Sequence, residues 1–182
     1  MKKVVILASG SGTLARAIFA AEKDYEIAAL ICDRPQAKVV EIANEFDIKV
    51  EVLELIGDRE NWDQALLSLV TKYQPDLVVS AGFMRILAPQ FVQTFKVINS
   101  HPALLPLFPG AHAVRDALAA GAIETGTTIH WVDEGVDTGS VIAQERIEIT
   151  PTDTEETLHE RIKIIERGLI VVTIPQVLAG LK

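Results

Sequence analysis

The chain has 182 residues, of which 49% are hydrophobic and 23% are charged, as expected for one globular domain with a real core. Its net charge of −8 argues against a general nucleic-acid-binding surface, and its single cysteine, Cys32, excludes an intramolecular disulfide and a cysteine-cluster zinc site. No apolar stretch approaches the roughly 20 residues that cross a bilayer, and Met1-Lys2-Lys3-Val4 runs into a strand pattern rather than a signal peptide, so we expect a cytoplasmic protein without membrane or nucleic-acid partners.

Short apolar runs alternate with helical patterns over the first hundred residues. The predicted strands are Lys3–Ala8, Glu26–Cys32, Lys49–Leu53, Asp76–Ser80 and Val97–Ser100. The predicted helices are the stretch after Thr13 through Ala21, Lys38–Phe46, Arg59–Tyr73 and Pro89–Phe95. This alternation predicts an α/β fold with a Rossmann-like, mainly parallel sheet and helices on both faces. Ligands of such sheets lie beyond the carboxyl ends of the strands.

The second half of the chain has a different pattern. A short helix is predicted over Ala113–Ala120, followed by strands over Gly126–Asp133 and Val141–Thr150, which should pair antiparallel because no long helix separates them. Capping and acidic residues over Thr152–Glu156 predict a final helix that runs to about Leu178. The strand-like composition of Ile170–Ile174 competes with this helix, and Pro175 is expected to bend or end it. Without linkers or repeats, residues 1–182 are expected to form a single domain.

The glycine-rich loop Ser9–Thr13 joins the first strand to a helix N-terminus. Backbone N–H groups and the helix dipole at such a turn attract phosphate. The loop has neither the G-x-G-x-x-G spacing of a dinucleotide site nor the lysine of a P-loop, so a single phosphomonoester fits it better than NAD or ATP. A tight strand-to-helix turn needs glycine in any case, so a purely structural role remains open.

Two further stretches are candidates for a ligand pocket. Ala81–Leu87 is apolar with one arginine, which suits a flat heterocycle or an ordinary buried connection. Thr128 and His130 share one face of a predicted strand and are candidates for lining the pocket, although a lone histidine in a strand is more often structural.

The stretch Val97–Gly110, V-I-N-S-H-P-A-L-L-P-L-F-P-G, holds the candidate chemistry. Its three prolines make the loop stiff, and Asn99 and His101 lie on one face of an extended chain. An amide can bind an oxygen, and an imidazole can move a proton near neutral pH. The structural alternative is a strand-to-loop corner in which the histidine ring only makes hydrogen bonds within the protein. If Asp137 lay near His101, its charge would favour the imidazolium and create a proton-transfer site.

These residues together resemble a known family. Asn99, the run His101-Pro102-Ala103-Leu104-Leu105-Pro106 and the later Asp137-x-Gly are similar to the Asn–His–Asp signature of folate-dependent formyltransferases. Within that family the resemblance extends over essentially the whole chain to the branch that formylates glycinamide ribonucleotide in purine biosynthesis. Ser-Gly-x-Gly-Thr and Ala-Gly-Phe-Met-Arg-Ile-Leu are further points of agreement.

The resemblance implies a formyltransferase fold and direct attack of the ribonucleotide amine on 10-formyltetrahydrofolate, the co-substrate. It implies no tightly bound cofactor, no metal, and a monomer or homodimer whose N-terminal half binds the ribonucleotide and whose C-terminal half binds folate.

Residue roles follow by position from the same resemblance. The catalytic residues would be Asn99, His101 and Asp137. The ribonucleotide would contact Gly12, Thr13, Leu14, Lys163 and Glu166. The folate would contact Arg59, Met84, Arg85, Ile86, Leu87, Asn99, Asp133, Glu134, Gly135, Val136 and Asp137. Leu14 stands where the family often has asparagine, so any contact there must come from the backbone.

Three other functions share part of this pattern. A formyltetrahydrofolate deformylase would use the same Asn99, His101 and Asp137, but it usually carries an N-terminal regulatory domain. Methionyl-tRNA formyltransferase usually adds a C-terminal domain and a basic surface. A non-catalytic phosphometabolite-binding module would explain the Ser9–Thr13 loop but not the catalytic trio.

Overall fold

The computed structural model describes residues 1–181, and its elements follow the predicted alternation. Over these residues the strands are β1 (Lys3–Ala8), β2 (Glu26–Cys32), β3 (Val50–Val52), β4 (Leu77–Ser80), β5 (Val97–His101), β6 (Glu124–Trp131) and β7 (Val141–Glu148). The helices are α1 (Thr13–Ala20), α2 (Lys38–Glu45), α3 (Arg59–Tyr73), α4 (Pro89–Thr94), α5 (Ala113–Ala119) and α6 (Glu155–Gly180).

All of these strands form one sheet in the order β3-β2-β1-β4-β5-β6-β7. The strands from β3 to β5 are parallel, whereas β6 runs antiparallel to both β5 and β7. The predicted mainly parallel, Rossmann-like sheet with an antiparallel C-terminal strand pair is confirmed. Strand β1 lies between β2 and β4, so the winding direction reverses there and a crevice opens between the loops that follow β1 and β4.

The sheet is buried on both sides, which explains the nearly continuous apolar runs of its central strands. On the α6 face, which is covered by α1, α2 and α6, Val4, Ile6 and Ile98 belong to one apolar cluster. On the opposite α3 face, covered by α3 and α4, Val5 and Val97 belong to a second cluster. Alternation along β5 therefore directs Ser100 to the α6 face, and Asn99 and His101 to the α3 face.

Helix α6 shows where local pattern and tertiary packing disagree. It begins with a capping box in which the Thr154 side chain accepts a hydrogen bond from the backbone N–H of Thr157 at 3.2 Å. Pro175 does not end this helix, which continues to Gly180, close to the predicted end at about Leu178. Ile170 and Ile174 are fully buried against the sheet one turn apart, and burying each such side chain contributes about 1.5–3 kcal/mol. This burial outweighs the strand-like composition. Within residues 1–181 no helix is both long and apolar enough to cross a membrane.

Gly12 begins α1 in a conformation that favours glycine. Its φ is +73°, and a Cβ atom at this position would lie 2.8 Å from the Cα of Val39 on α2. We expect Gly12→Ala to lower the free energy of unfolding by about 1–3 kcal/mol, since it combines backbone strain with a clash against backbone. Gly10→Ala is the matched control, because nothing lies within 4 Å of its added methyl group. Urea denaturation of both variants measures the difference, and equal losses would contradict this explanation.

Candidate active site

A cavity of about 550 Å³ lies at the carboxyl ends of the central strands. Its wall is formed by the loops that follow β1 and β4, the end of β5, the loop between β6 and β7, and the N-terminal half of α6. The sequence-predicted site residues in this wall are Gly12, Thr13, Leu14, Met84, Arg85, Ile86, Leu87, Asn99, His101, His130, Asp133, Gly135, Val136, Asp137, Lys163 and Glu166. Residues 120 or more positions apart in the chain thus meet in one space.

Three predicted site residues lie outside the wall. The pocket-lining prediction for Thr128 needs correction, because this residue is fully buried and its hydroxyl donates to the Ala103 carbonyl at 2.6 Å. It also accepts from the backbone N–H of Leu105 at 3.0 Å, so it anchors the loop after β5. Glu134 is exposed and accepts from the Gln93 side chain at 2.6 Å. Arg59 lies behind the loop after β4, where its guanidinium donates to the Ile86 carbonyl.

His101 is buried where β5 ends, and its ring is fixed from one side by the proline-rich loop. Its Nε2 lies 2.8 Å from the carbonyl oxygen of Phe108. A carbonyl oxygen only accepts, so Nε2 carries a hydrogen in this arrangement. The other nitrogen, Nδ1, lies 3.4 Å from Oδ2 of Asp137. Nδ1 is therefore the ring nitrogen of His101 that can exchange a proton, and it lies beside a carboxylate.

Asp137 is held between two imidazole rings in a left-handed backbone conformation, with φ at 55°. Its Oδ2 accepts from the backbone N–H of Gly110 at 2.8 Å, and its Oδ1 lies 3.5 Å from Nε2 of His130. Burial raises the pKa of the Asp137 carboxyl, but the hydrogen bond from Gly110 and the contacts with the His101 and His130 rings outweigh it, so this pKa lies below its usual value. The carboxylate is thus ionised near neutral pH.

His130 connects this carboxylate to Asn99. Its Nδ1 donates to the Trp131 carbonyl at 2.8 Å, which leaves Nε2 to accept from the Asn99 amide nitrogen at 3.2 Å. The two residues face each other across the antiparallel β5–β6 pair. One hydrogen of the Asn99 amide is used in this contact, so the second can be donated to a ligand oxygen in the cavity.

The N-terminus of α1 is suited to an anion. No side chain caps it, and its first turn carries no acidic residue, so its free N–H groups and positive dipole are uncompensated. The side chain of Leu14 packs into the apolar cluster on the α6 face, which agrees with a backbone-only contact at this position. Lys163 lies in the same cavity wall and donates to Glu160 at 2.6 Å.

The loop after β4 forms the apolar side of the cavity. Its Met84 backbone N–H donates to the Ser9 hydroxyl at 2.9 Å, and the side chains of Met84 and Ile86 are each 63% exposed. Two apolar side chains left exposed beside a cavity favour a flat apolar ligand. Arg85 fixes the loop from behind by donating to the carboxylate of Asp33 at 2.6 Å.

Sequence reasoning missed Asp33, whose side chain is fully buried in this ion pair. A signal was available, since Asp33 directly follows β2 at the same edge of the sheet as the other site loops. His159, half-buried in the cavity wall one helical turn before Lys163, was also missed. Burial and the charge of Lys163 lower the pKa of His159, against the opposing charges of Glu160 and Glu155. His159 stands four positions before Lys163, which places both on one face of a helix, and this spacing could have identified His159 from the sequence.

Comparison with known proteins gives consistent results. Residues 2–174 match the formyl transferase family model. Phosphoribosylglycinamide formyltransferase from Mycobacterium tuberculosis is 48% identical over 94% of this chain and 83% of its own length, and the Bacillus subtilis enzyme of that name is 40% identical over 98% and 95%. A crystal structure of the Bacillus halodurans enzyme has a TM-score of 0.93 at 41% identity, covering 100% of this chain and 97% of that one.

A second solved structure, glycinamide ribonucleotide transformylase 1 from Symbiobacterium toebii, has a TM-score of 0.95 at 33% identity, with coverage of 99% and 89%. Both solved structures therefore share the fold over nearly the whole of this chain.

The lowered pKa of Asp137 links folding to pH. A carboxyl that ionises more readily in the folded state contributes stability that is fully present above its unfolded pKa, near 3.8, and is lost as pH falls through the folded value. We expect the unfolding free energies of the wild type and Asp137→Asn to converge as the pH falls from about 5 to 3.

Urea denaturation at a series of pH values measures this convergence. Asp116→Asn is the matched control, because the Asp116 side chain is 44% exposed and pairs with its neighbour Arg115. A difference between wild type and Asp137→Asn that stays constant over this range would contradict the interpretation.

Proposed function

The chain belongs to the formyl transferase family, and we propose that it transfers the formyl group of 10-formyltetrahydrofolate to the amine of glycinamide ribonucleotide in purine biosynthesis. The observation that carries this proposal is the meeting of Asn99, His101 and Asp137 in one cavity of a chain whose relatives, at 40–48% identity, are named for this reaction. The cavity can take both small-molecule substrates, since it has an anion-binding end and an apolar wall.

The two substrates approach the catalytic residues from different sides. In our proposal the phosphate of the ribonucleotide binds the N–H groups of Gly12, Thr13 and Leu14, and Lys163 and Glu166 contact its ribose and glycinamide end. The folate ring binds between Met84–Leu87 and the loop Asp133–Asp137, which supplies mainly backbone groups and apolar walls.

Arg59 lies beside the Met84–Leu87 loop and is proposed to bind the folate tail, for which an arginine is a suitable carboxylate partner. Each proposed binding side then contains residues from both the N-terminal and the C-terminal half of the chain. The two binding sides are therefore separated by the faces of the sheet rather than by position in the sequence.

The reaction proceeds by direct attack of the amine nitrogen on the formyl carbon. A carbon–nitrogen bond forms, and the carbonyl oxygen becomes a tetrahedral oxyanion. The free amide hydrogen of Asn99 is donated to this oxygen, and charged His101 lowers the energy of the anion. The attacking amine then loses a proton, N10 of the folate gains one, and the carbon–N10 bond breaks. His101 Nδ1 and Asp137 move this proton, directly or through a water molecule.

Alignment of the two bound substrates further increases the reaction rate. An intramolecular arrangement of the amine and the formyl carbon can lower the barrier by several kcal/mol, up to about 7–11 in favourable cases. The proline-rich loop after β5 and the hydrogen bond between His101 and Phe108 hold the imidazole in one position relative to the bound substrates.

We propose that residues 1–182 act as one formyltransferase domain in a monomer or homodimer. The cavity wall is formed by one chain, so no partner subunit is needed to complete it. The proposed substrates are charged metabolites of central biosynthesis, which supports a cytoplasmic location.

The decisive assay follows consumption of 10-formyltetrahydrofolate by the purified protein with and without glycinamide ribonucleotide. We expect consumption that depends on the ribonucleotide, with one formylated product formed for each tetrahydrofolate released. Equal consumption in the absence of the amine would instead identify a deformylase, and no consumption in either mixture would identify a binding module.

We expect His101→Ala to reduce kcat by about 10²–10⁴-fold, because it removes the group that moves the proton. His112→Ala is the matched control, since His112 is exposed in the same stretch and outside the cavity wall. Its kcat should stay within about twofold of wild type. Steady-state kinetics with both substrates measures this, and near-normal turnover by His101→Ala would exclude the assigned role.

A further inference from the structure

The carboxylate of Glu166 is anchored by a hydroxyl group that neither the sequence pattern nor the proposed mechanism uses. Ser100 Oγ donates to Oε1 of Glu166 at 2.7 Å, and both residues line the cavity. Ser100 stands between Asn99 and His101, but its side chain lies on the α6 face while theirs lie on the α3 face. The hydrogen bond therefore joins β5, which carries two proposed catalytic residues, to the helix that carries the proposed ribonucleotide contacts.

This contact lies where a carboxylate needs support. Burial raises the pKa of the Glu166 carboxyl above its usual value, and the hydrogen bond from Ser100 and the charges of Lys163 and Arg167 offset only part of this rise. A hydroxyl that donates to a carboxylate forms a charge-assisted hydrogen bond, which is about twice as strong as a neutral one. Ser100 thus stabilises the charged form of a half-buried carboxyl group.

Ser100 is the donor in this hydrogen bond because a carboxylate only accepts, and a second hydroxyl lies beside it. Thr127 is fully buried on β6, donates to the His101 carbonyl at 3.2 Å, and lies 3.4 Å from Ser100 Oγ. Each hydroxyl has one hydrogen to donate. With the Thr127 hydrogen used on His101, the Ser100 hydrogen is directed to Glu166.

One carboxylate oxygen of Glu166 is left for a ligand. Among residues 1–181, the side-chain hydrogen bond to Glu166 involves Oε1, and Oε2 accepts none. The anchored geometry therefore presents a fixed acceptor to the cavity. Ribonucleotides carry hydroxyl and amino donors that match a single, preoriented carboxylate oxygen.

We propose that Ser100 is a positioning residue for the ribonucleotide: its hydroxyl fixes the Glu166 carboxylate so that Oε2 accepts a hydrogen bond from a hydroxyl or amino group of that substrate. The inference rests on the proposed function and adds to it a residue outside the Asn–His–Asp trio. Because Ser100 acts on binding, its loss weakens ribonucleotide affinity and leaves the chemical step intact.

Steady-state kinetics of Ser100→Ala, with each substrate varied in turn, tests the proposal. We expect KM for glycinamide ribonucleotide to rise about tenfold or more, while kcat and KM for 10-formyltetrahydrofolate stay within about twofold. Ser100→Thr keeps the hydroxyl on a residue suited to a strand and should restore KM to within about threefold of wild type. Thr173→Val is the matched control, because it removes a buried hydroxyl that bonds to Leu169 on the same helix outside the cavity wall, and its KM values should not change.

A double-mutant cycle with Glu166→Ala, which removes the acceptor of the Ser100 hydrogen bond, separates positioning from a general loss of structure. If Ser100 acts through Glu166, adding Ser100→Ala to Glu166→Ala raises KM for the ribonucleotide by less than about twofold more. If Ser100→Ala is too unstable to assay, Ser100→Cys is the alternative variant. A thiol is of similar size but is a weak hydrogen-bond donor, so this variant should also raise KM for the ribonucleotide.

Several results would overturn the role of Ser100. One such result is an unchanged KM for the ribonucleotide in Ser100→Ala, and another is a fall in kcat and a rise in folate KM as large as the change in ribonucleotide KM. A ribonucleotide KM that Ser100→Thr does not restore, or full additivity in the double-mutant cycle, would also overturn it. A wild-type protein with no transferase activity would instead overturn the proposed function, so the two failures are distinguishable.

Discussion

The carboxylate of Asp137 between two imidazole rings is the interaction on which the site depends. His101 and His130 each donate from one ring nitrogen to a backbone carbonyl, and the other ring nitrogen of each lies 3.4 or 3.5 Å from Asp137. Asp137 itself is held by the backbone N–H of Gly110 and by a left-handed backbone. Two stretches of the chain, residues 101–110 and 130–137, thus fix one candidate proton-exchange position, and acid–base chemistry requires such preorganisation.

The sheet explains why this position lies between two different binding sides. Strand β5 is the last parallel strand, and its antiparallel partner β6 brings His130 opposite Asn99. Because side chains alternate along β5, Asn99 and His101 meet the apolar loop on the α3 face, while Ser100 reaches α6 on the other. A single strand end can therefore serve two ligands that approach from opposite faces.

Polar groups behind the cavity wall hold its loops in place. Arg85 pairs with fully buried Asp33, and Thr128 anchors the backbone after β5 by two hydrogen bonds. Buried polar groups are costly unless they are paired, so such contacts favour one arrangement of each loop over its alternatives. The proposed substrates would then bind to a cavity that is largely formed before they arrive.

The sequence by itself determined most of the helices and strands, because β-branched runs and helical spacings are local patterns that hydrophobic periodicity reports directly. The three proposed catalytic residues came instead from the resemblance of the sequence to folate-dependent formyltransferases. Distant partners were beyond such patterns. Pro175 stays within α6 because buried Ile170 and Ile174 pack on the sheet, and Thr128 turns from pocket lining to loop anchor because the loop after β5 folds over it.

The pairing of Ser100 with Glu166 and that of Asp33 with Arg85 also exist only after folding, because each joins residues more than 50 positions apart. Side-chain partners of this kind are set by the packing of whole elements, and no local stretch of sequence encodes them.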